Sequence, residues 1–158
     1  MNEIEALLRV GVATLLGAAL GLEREMTGKP AGLRTHMLVA EGAALFMVGS
    51  ILLTEQFGVS PALNVRVDVT RVASTIVTGV GFLGAGMILR ARDRVYGLTT
   101  AAGIWVAAAI GMLAGSGYYI VSIFGTILGL LTLVALRIVE RRLGLLSSAY
   151  PVEDAEDE

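Results

Sequence analysis

The chain has no cysteine and a single histidine, His36, among its 158 residues. Without cysteine there is no disulfide, no thiolate metal site and no cysteine nucleophile. One histidine excludes a multi-histidine zinc site within one chain. Charge is scarce as well: 16% of the residues are charged, against about 25% in a soluble domain. Residues 95–136 carry no charge over 42 positions, and residues 72–89 carry none over 18. Uncharged apolar runs of about 18 residues or more read as membrane spans, because ~20 helical residues cross the ~30 Å hydrocarbon core. A soluble protein of this length lacks the polar exterior to hide such a run. The residues show no nucleophile–base pair and no metal-ligand cluster, so the sequence predicts neither an enzyme nor a bound cofactor, and no nucleic-acid partner.

What the chain does have is apolar bulk, at 55% hydrophobic residues and a mean hydropathy of +0.76. The expected fold is all-α: a polytopic helical membrane protein with about five transmembrane helices, over 4–22, 33–53, 69–89, 98–114 and 118–139. Gly115-Ser116-Gly117 divides the long uncharged run, glycine being the usual breaker. The apolar stretch near the N-terminus follows Glu3, Glu5 and Arg9 rather than a positive segment, so it reads as a retained first span and not as a signal peptide. Residues 1–143 form the transmembrane domain. Residues 144–158 form a short acidic tail, polar and like-charged enough to be disordered.

Nine of the twelve basic residues fall in three segments that five spans place on one side: Arg24, Lys29 and Arg34; Arg90, Arg92 and Arg94; Arg137, Arg141 and Arg142. The other side holds Arg9, Arg66 and Arg71. The positive-inside rule puts the N-terminus outside and the C-terminus in the cytoplasm.

Small residues recur every four positions: Ala13, Gly17 and Gly21; Gly103, Ala107, Gly111 and Gly115; Gly125 and Gly129. Such rows let helix backbones approach closely in lipid. In the third span, Gly79-Val80-Gly81-Phe82-Leu83-Gly84 matches G-x-G-x-x-G. That pattern binds nucleotides only where a strand turns into a helix, and no strand precedes it here. With Gly86, these glycines predict a close helix crossing, a pore lining, or locally unwound backbone beside a cavity.

Three stretches, "GLERE…GKPAGLRTHMLVAEGAALF", "RVASTIVTGVGFLGAGMIL" and "VYGLTTAAGIWVAAAIGMLAGSGYY", together resemble the membrane domain of the MgtC/SapB family over residues 21–119. The resemblance implies a bacterial inner-membrane protein linked to magnesium-limited growth, and in some members to survival inside host cells. The chain departs from many members at Glu41, where they are uncharged, and at Thr75, where they have glutamine. Longer members add an ACT-like cytoplasmic domain after the last span.

Glu41 is the most informative charge, because a carboxylate at bilayer depth needs a partner or water. Its own-helix neighbours Met37, Leu38 and Leu45 offer none. Thr99, Thr100, Arg90 and Arg24 are the expected partners from other helices. Two readings stay open: a proton or cation site, or a carboxyl group bonded across helices for packing. Glu23 and Glu25, two positions apart, point to different faces; with Glu41 they could hold a hydrated ion at the cytoplasmic mouth, against the charge of Arg24. Arg71, Ser74, Thr75 and Thr78 share a face of the third span, with Asp68 the expected ion-pair partner of Arg71. The candidate polar set is thus Glu23, Arg24, Glu25, Arg34, Thr35, His36, Glu41, Arg71, Thr78, Thr99 and Thr100, beside Gly79, Gly81, Gly84 and Gly86. The leading functional expectation is a protein that binds other membrane proteins, and further copies of itself, within the lipid bilayer. The rival is an Mg2+ or H+ conductor using Glu41 and the third span. A third is a sensor of anionic lipid through Lys29, Arg34, Arg90, Arg92 and Arg94.

Overall fold

The computed structural model describes residues 1–57, 68–91 and 94–143, with the backbone alone at 91, 140 and 141. The expected tail at 144–158, and Arg66 and Arg92, lie outside the described residues. Five helices follow one another: α1 (Glu3–Met26), α2 (Leu33–Phe57), α3 (Val69–Gly86), α4 (Leu98–Gly115) and α5 (Tyr119–Arg142). All five are long and apolar enough to cross a membrane; α1, at 24 residues, extends ~36 Å at helical rise.

The helix ends follow local chemistry. The Asn2 side chain accepts from the Glu5 N–H at 2.7 Å and caps α1. Asp68 caps α3, accepting from the Thr70 N–H at 2.9 Å and from its hydroxyl at 2.6 Å. These contacts satisfy first-turn donors that have no partner within the helix. Asp68 is therefore spent on Thr70, and the expected Asp68–Arg71 ion pair is not formed. Gly117, at φ +88°, makes the left-handed turn from α4 into α5, which a β-carbon would strain.

Four helix ends differ from expectation by three or four residues; α2 runs on to Phe57 and α5 to Arg142, and the other two bear on the polar residues. Helix α1 continues to Met26, so Glu23, Arg24 and Glu25 are helical. Helix α3 stops at Gly86, and a two-stranded antiparallel hairpin follows, β1 (Leu89–Ala91) and β2 (Arg94–Tyr96), with Arg90 opposite Val95. The all-α reading missed this hairpin because each strand is three residues long, too short for a period-2 pattern to register. Gly97 closes the hairpin at φ +86° against the Met87 backbone.

Helix α4 lies at the centre, packed on all four others, while α3 and α5 are peripheral. Burial agrees: 44% of the α4 span is buried, against 17% of α3 and 11% of α5. One apolar core joins Ala43 and Met47 of α2, Ile76 and Val80 of α3, and Ile104 and Ala108 of α4. A second joins Leu20 of α1 to Ala107 and Ile110 of α4.

The small-residue rows do what their spacing predicts. The His36–Ala40–Ala44 row of α2 is gripped between α1 and α4. A β-carbon on Gly17 would lie 2.7 Å from the Ala40 Cβ and from the His36 carbonyl oxygen. One on Gly21 would lie 2.7 Å from the Leu33 Cα, and one on Gly115 would lie 2.8 Å from the Ala44 Cα. Ala13, Ala40, Ala44, Ala107 and Ala114 are fully buried along these seams.

The third span does not behave as its glycines suggested. It is a regular helix to Gly86, with no unwound stretch. A β-carbon on Gly79, Gly81 or Gly86 would meet nothing within 4 Å, and only Gly84 approaches a neighbour, Ala101 at 3.7 Å. Within one chain these glycines mediate no close crossing.

Candidate functional site

The polar side chains gather at the end of the bundle where α1 leads into α2, here termed the basic end. Extending α1 beyond Leu22 turns Glu23 inward and Glu25 toward the start of α2. The Arg24 Nε donates to the Glu23 Oε2 at 2.8 Å, and both side chains are nearly buried, at 6% and 10% exposure. Arg137 of α5 approaches the other carboxylate oxygen of Glu23 at 3.7 Å. Glu25 accepts from the Leu33 N–H at 2.9 Å and so supplies the first turn of α2 with an anionic acceptor. The divergence of the two glutamates is as expected; their use is internal.

His36 is fully buried. Its Nδ1 lies 3.1 Å from the Gly32 carbonyl, an acceptor, so Nδ1 carries the proton and Nε2 is left as an acceptor in the neutral ring. That Nε2 has no hydrogen-bond partner among the described residues. It faces Gly103, where a β-carbon would stand 3.2 Å away. The glycine in α4 thus makes room for the imidazole, joining a small-residue row to a buried polar group.

Glu41 lies deeper, between α1 and α2. It accepts from the Thr14 hydroxyl at 3.3 Å, and the same hydroxyl donates to the Val10 carbonyl at 3.0 Å. Thr14 replaces the expected partners Thr99, Thr100, Arg90 and Arg24. Helix α1 packs against the face of α2 that carries Glu41, and the sequence holds no signal for which helix does so. Thr99 is exposed and Thr100 buried at the start of α4. Glu23, Glu25 and Glu41 are not brought together as a cage, and no group of three acidic, histidine or cysteine side chains among the described residues could hold a metal ion.

On α3, Arg71, Ser74, Thr75 and Thr78 are all exposed. Thr75 donates to the Arg71 carbonyl at 2.9 Å and Thr78 to the Ser74 carbonyl at 3.0 Å, so these hydroxyls are satisfied within their own helix. Arg34 is exposed and Thr35 half-buried at the start of α2, on the wall of a cleft shared with α3. The i,i+4 spacing of Glu5 and Arg9 predicts their ion pair on the opening turns of α1, and it forms; what sequence reasoning missed is two ties between helices. Arg9 donates to the Gly115 carbonyl at 3.1 Å and to Glu5 at 2.6 Å, fastening α1 to the end of α4. Arg137, which the sequence marks only as a topology determinant, reaches Glu23 from α5.

Comparison with known proteins bears on this bundle directly. The MgtC family profile matches residues 10–142, which takes in most of α1 and the whole of α2 to α5. The chain belongs to the MgtC family. It is 48% identical over 132 residues to the "Putative magnesium transporter YhiD" of Escherichia coli (strain K12), covering 82% of this chain and 59% of that protein. It is 41% identical over 116 residues to "Protein SapB" of Bacillus subtilis (strain 168), covering 73% and 49%. It is 41% identical over 147 residues to "Protein MgtC" of Salmonella typhi, covering 93% and 59%. The chain therefore spans about half to three-fifths of the length of these relatives. No solved structure matches it significantly. MgtC-family membership and five apolar helices together make this a multi-pass membrane protein.

Proposed function

We propose that this MgtC-family chain is a bacterial inner-membrane protein that serves magnesium-linked or envelope homeostasis by binding other membrane proteins, with its basic end in the cytoplasm. The orientation rests on the basic residues at that end. The link to magnesium rests on the family and on the relative named for magnesium transport.

The outward face of α3 carries the binding reading. Ile76 and Val80 of this helix are buried, while Ser74, Thr78, Gly81 and Ala85 on the opposite side are exposed. A face of small residues and hydroxyls is how helices associate in lipid, where apolar side chains alone give no drive to pair. Interior packing argues the same way. The seam of Gly17 and Gly21 against α2 is closed to within a β-carbon, and it separates the Thr14–Glu41 pair from the Glu23–Arg24–Arg137 cluster.

The test is crosslinking and capture from magnesium-starved cells, wild type beside Gly81→Leu. A membrane protein captured by the wild type and lost in the variant is the expected result; no captured membrane protein would overturn the reading. A second reading, an ion conductor working through Glu41, is favoured by that carboxylate's depth. Liposomes holding the pure protein separate the two. Magnesium or proton flux that Glu41→Gln abolishes would establish conduction; no flux from either protein is expected.

A further inference from the structure

Helices α2 and α3 diverge around an open cleft of about 820 Å³. Its walls are apolar, with Leu38 and Phe46 from α2 facing Val72, Ile76 and Leu83 from α3. Gly42 and Gly79 lie on the walls, and a β-carbon on either would meet nothing within 4 Å.

Each mouth carries one arginine. The helices run antiparallel, so Arg34 of α2 stands at the basic end and Arg71 of α3 at the other. Among the described residues neither guanidinium makes an ion pair or side-chain hydrogen bond. A cation at the edge of the hydrocarbon region requires an anionic partner or water, and Arg34 has no anionic partner among the described residues. Arg71 differs in having Asp68 three positions ahead of it, which offsets its charge locally.

Length identifies the occupant. From Arg34 to Phe46 is twelve positions, ~18 Å at helical rise, and one leaflet contributes half of the ~30 Å hydrocarbon core, ~15 Å. An acyl chain hanging from a head group at Arg34 would run the cleft and end near Phe46. We infer that the α2–α3 cleft holds an anionic phospholipid from the leaflet at the basic end, its phosphate on Arg34 and an acyl chain along the apolar walls.

The test uses the purified full chain, stripped of lipid in detergent and titrated with dioleoyl phosphatidylglycerol or dioleoyl phosphatidylethanolamine. Bound lipid is read by native mass spectrometry. The wild type should retain phosphatidylglycerol about fivefold more tightly, the preference that one basic residue near a membrane surface confers. Arg34→Gln should bring the two lipids to parity. Gly42→Phe and Gly79→Phe place a ring in open space, so both should fold and both should lose the retained phosphatidylglycerol. Equal retention of the two lipids by the wild type overturns the inference, as does retention unchanged in both glycine variants. A wild-type dimer that Gly42→Phe splits would assign the cleft to a second copy and also overturn it. Should either glycine variant fail to fold, Arg34→Gln on the exposed rim still decides head-group recognition. No partner protein enters this measurement, so its outcome is independent of the partner-binding proposal.

Discussion

Gly111 of α4 packs so closely on Ala40 of α2 that a β-carbon on Gly111 would fall within the Ala40 backbone. The atom met is main chain, which cannot swing aside as a side-chain tip would. Gly111→Leu should therefore push α4 off α2 and destabilise the bundle by about 3 kcal/mol or more, at the upper end of overpacking costs. Gly81→Leu adds the same side chain to a helix face with nothing within 4 Å and should change stability by less than about 1 kcal/mol. Reversible unfolding of the two variants in mixed micelles makes the comparison.

The two arginines on Glu23 should differ sharply. Arg24 is buried and bonded at 2.8 Å, whereas the side chain of Arg137 is 31% exposed and stands 3.7 Å away. Breaking a buried pair from one side costs about 3–5 kcal/mol, because the remaining charge is left in a dry site. A half-exposed pair is worth about 0–1 kcal/mol. Arg24→Ala should accordingly cost several times as much as Arg137→Ala in the same unfolding assay. Equal losses would mean that Glu23 is held by Arg137 after all.

Asp68 offers a pH prediction at the mouth of α3. Hydrogen bonds from the Thr70 hydroxyl, then from the Thr70 N–H, hold its carboxyl below the usual carboxylate range, with Arg71 adding a smaller pull. A carboxyl whose pKa is depressed by folding contributes stability above its unfolded value and loses it as pH falls through the folded one. The melting midpoint of the wild type should thus decline on acidification below the normal carboxylate range. Asp68→Asn keeps an oxygen for the cap but cannot titrate, so the difference between the two melting curves should shrink as pH falls.

The bundle itself was legible because its signals are repetitive. Uncharged runs located the spans, and the four-residue rows through Gly17 and Gly111 foretold the tightest contacts between helices. Residue spacing also foretold the opposite directions of Glu23 and Glu25. Pairings between helices were not legible. Nothing in the sequence selects Thr14 over Thr100 for Glu41, because that choice depends on which helices are neighbours and how each is rotated. The glycines of α3 misled for the same reason: their spacing states that a close approach is possible, and the fold of one chain leaves nothing within 4 Å of a β-carbon on Gly79, Gly81 or Gly86. The hairpin at 89–96 fell below the length at which alternation can be recognised.

Thr14 and Glu41 form the one polar contact that crosses between helices deep in the bundle among the described residues, and its geometry limits its worth. At 3.3 Å the bond is long for two oxygens, and the Thr14 hydroxyl already donates to Val10 at 3.0 Å. Oxygen–oxygen hydrogen bonds centre near ~2.75 Å, and hydrogen bonds between membrane helices average about 0.6 kcal/mol in double-mutant cycles. A cycle of Thr14→Val and Glu41→Gln should therefore yield a coupling below about 1 kcal/mol, with each single variant folded. A coupling well above that would mean that the pair shares a proton or an ion more tightly than a shared hydroxyl allows, and would move Glu41 from packing toward conduction.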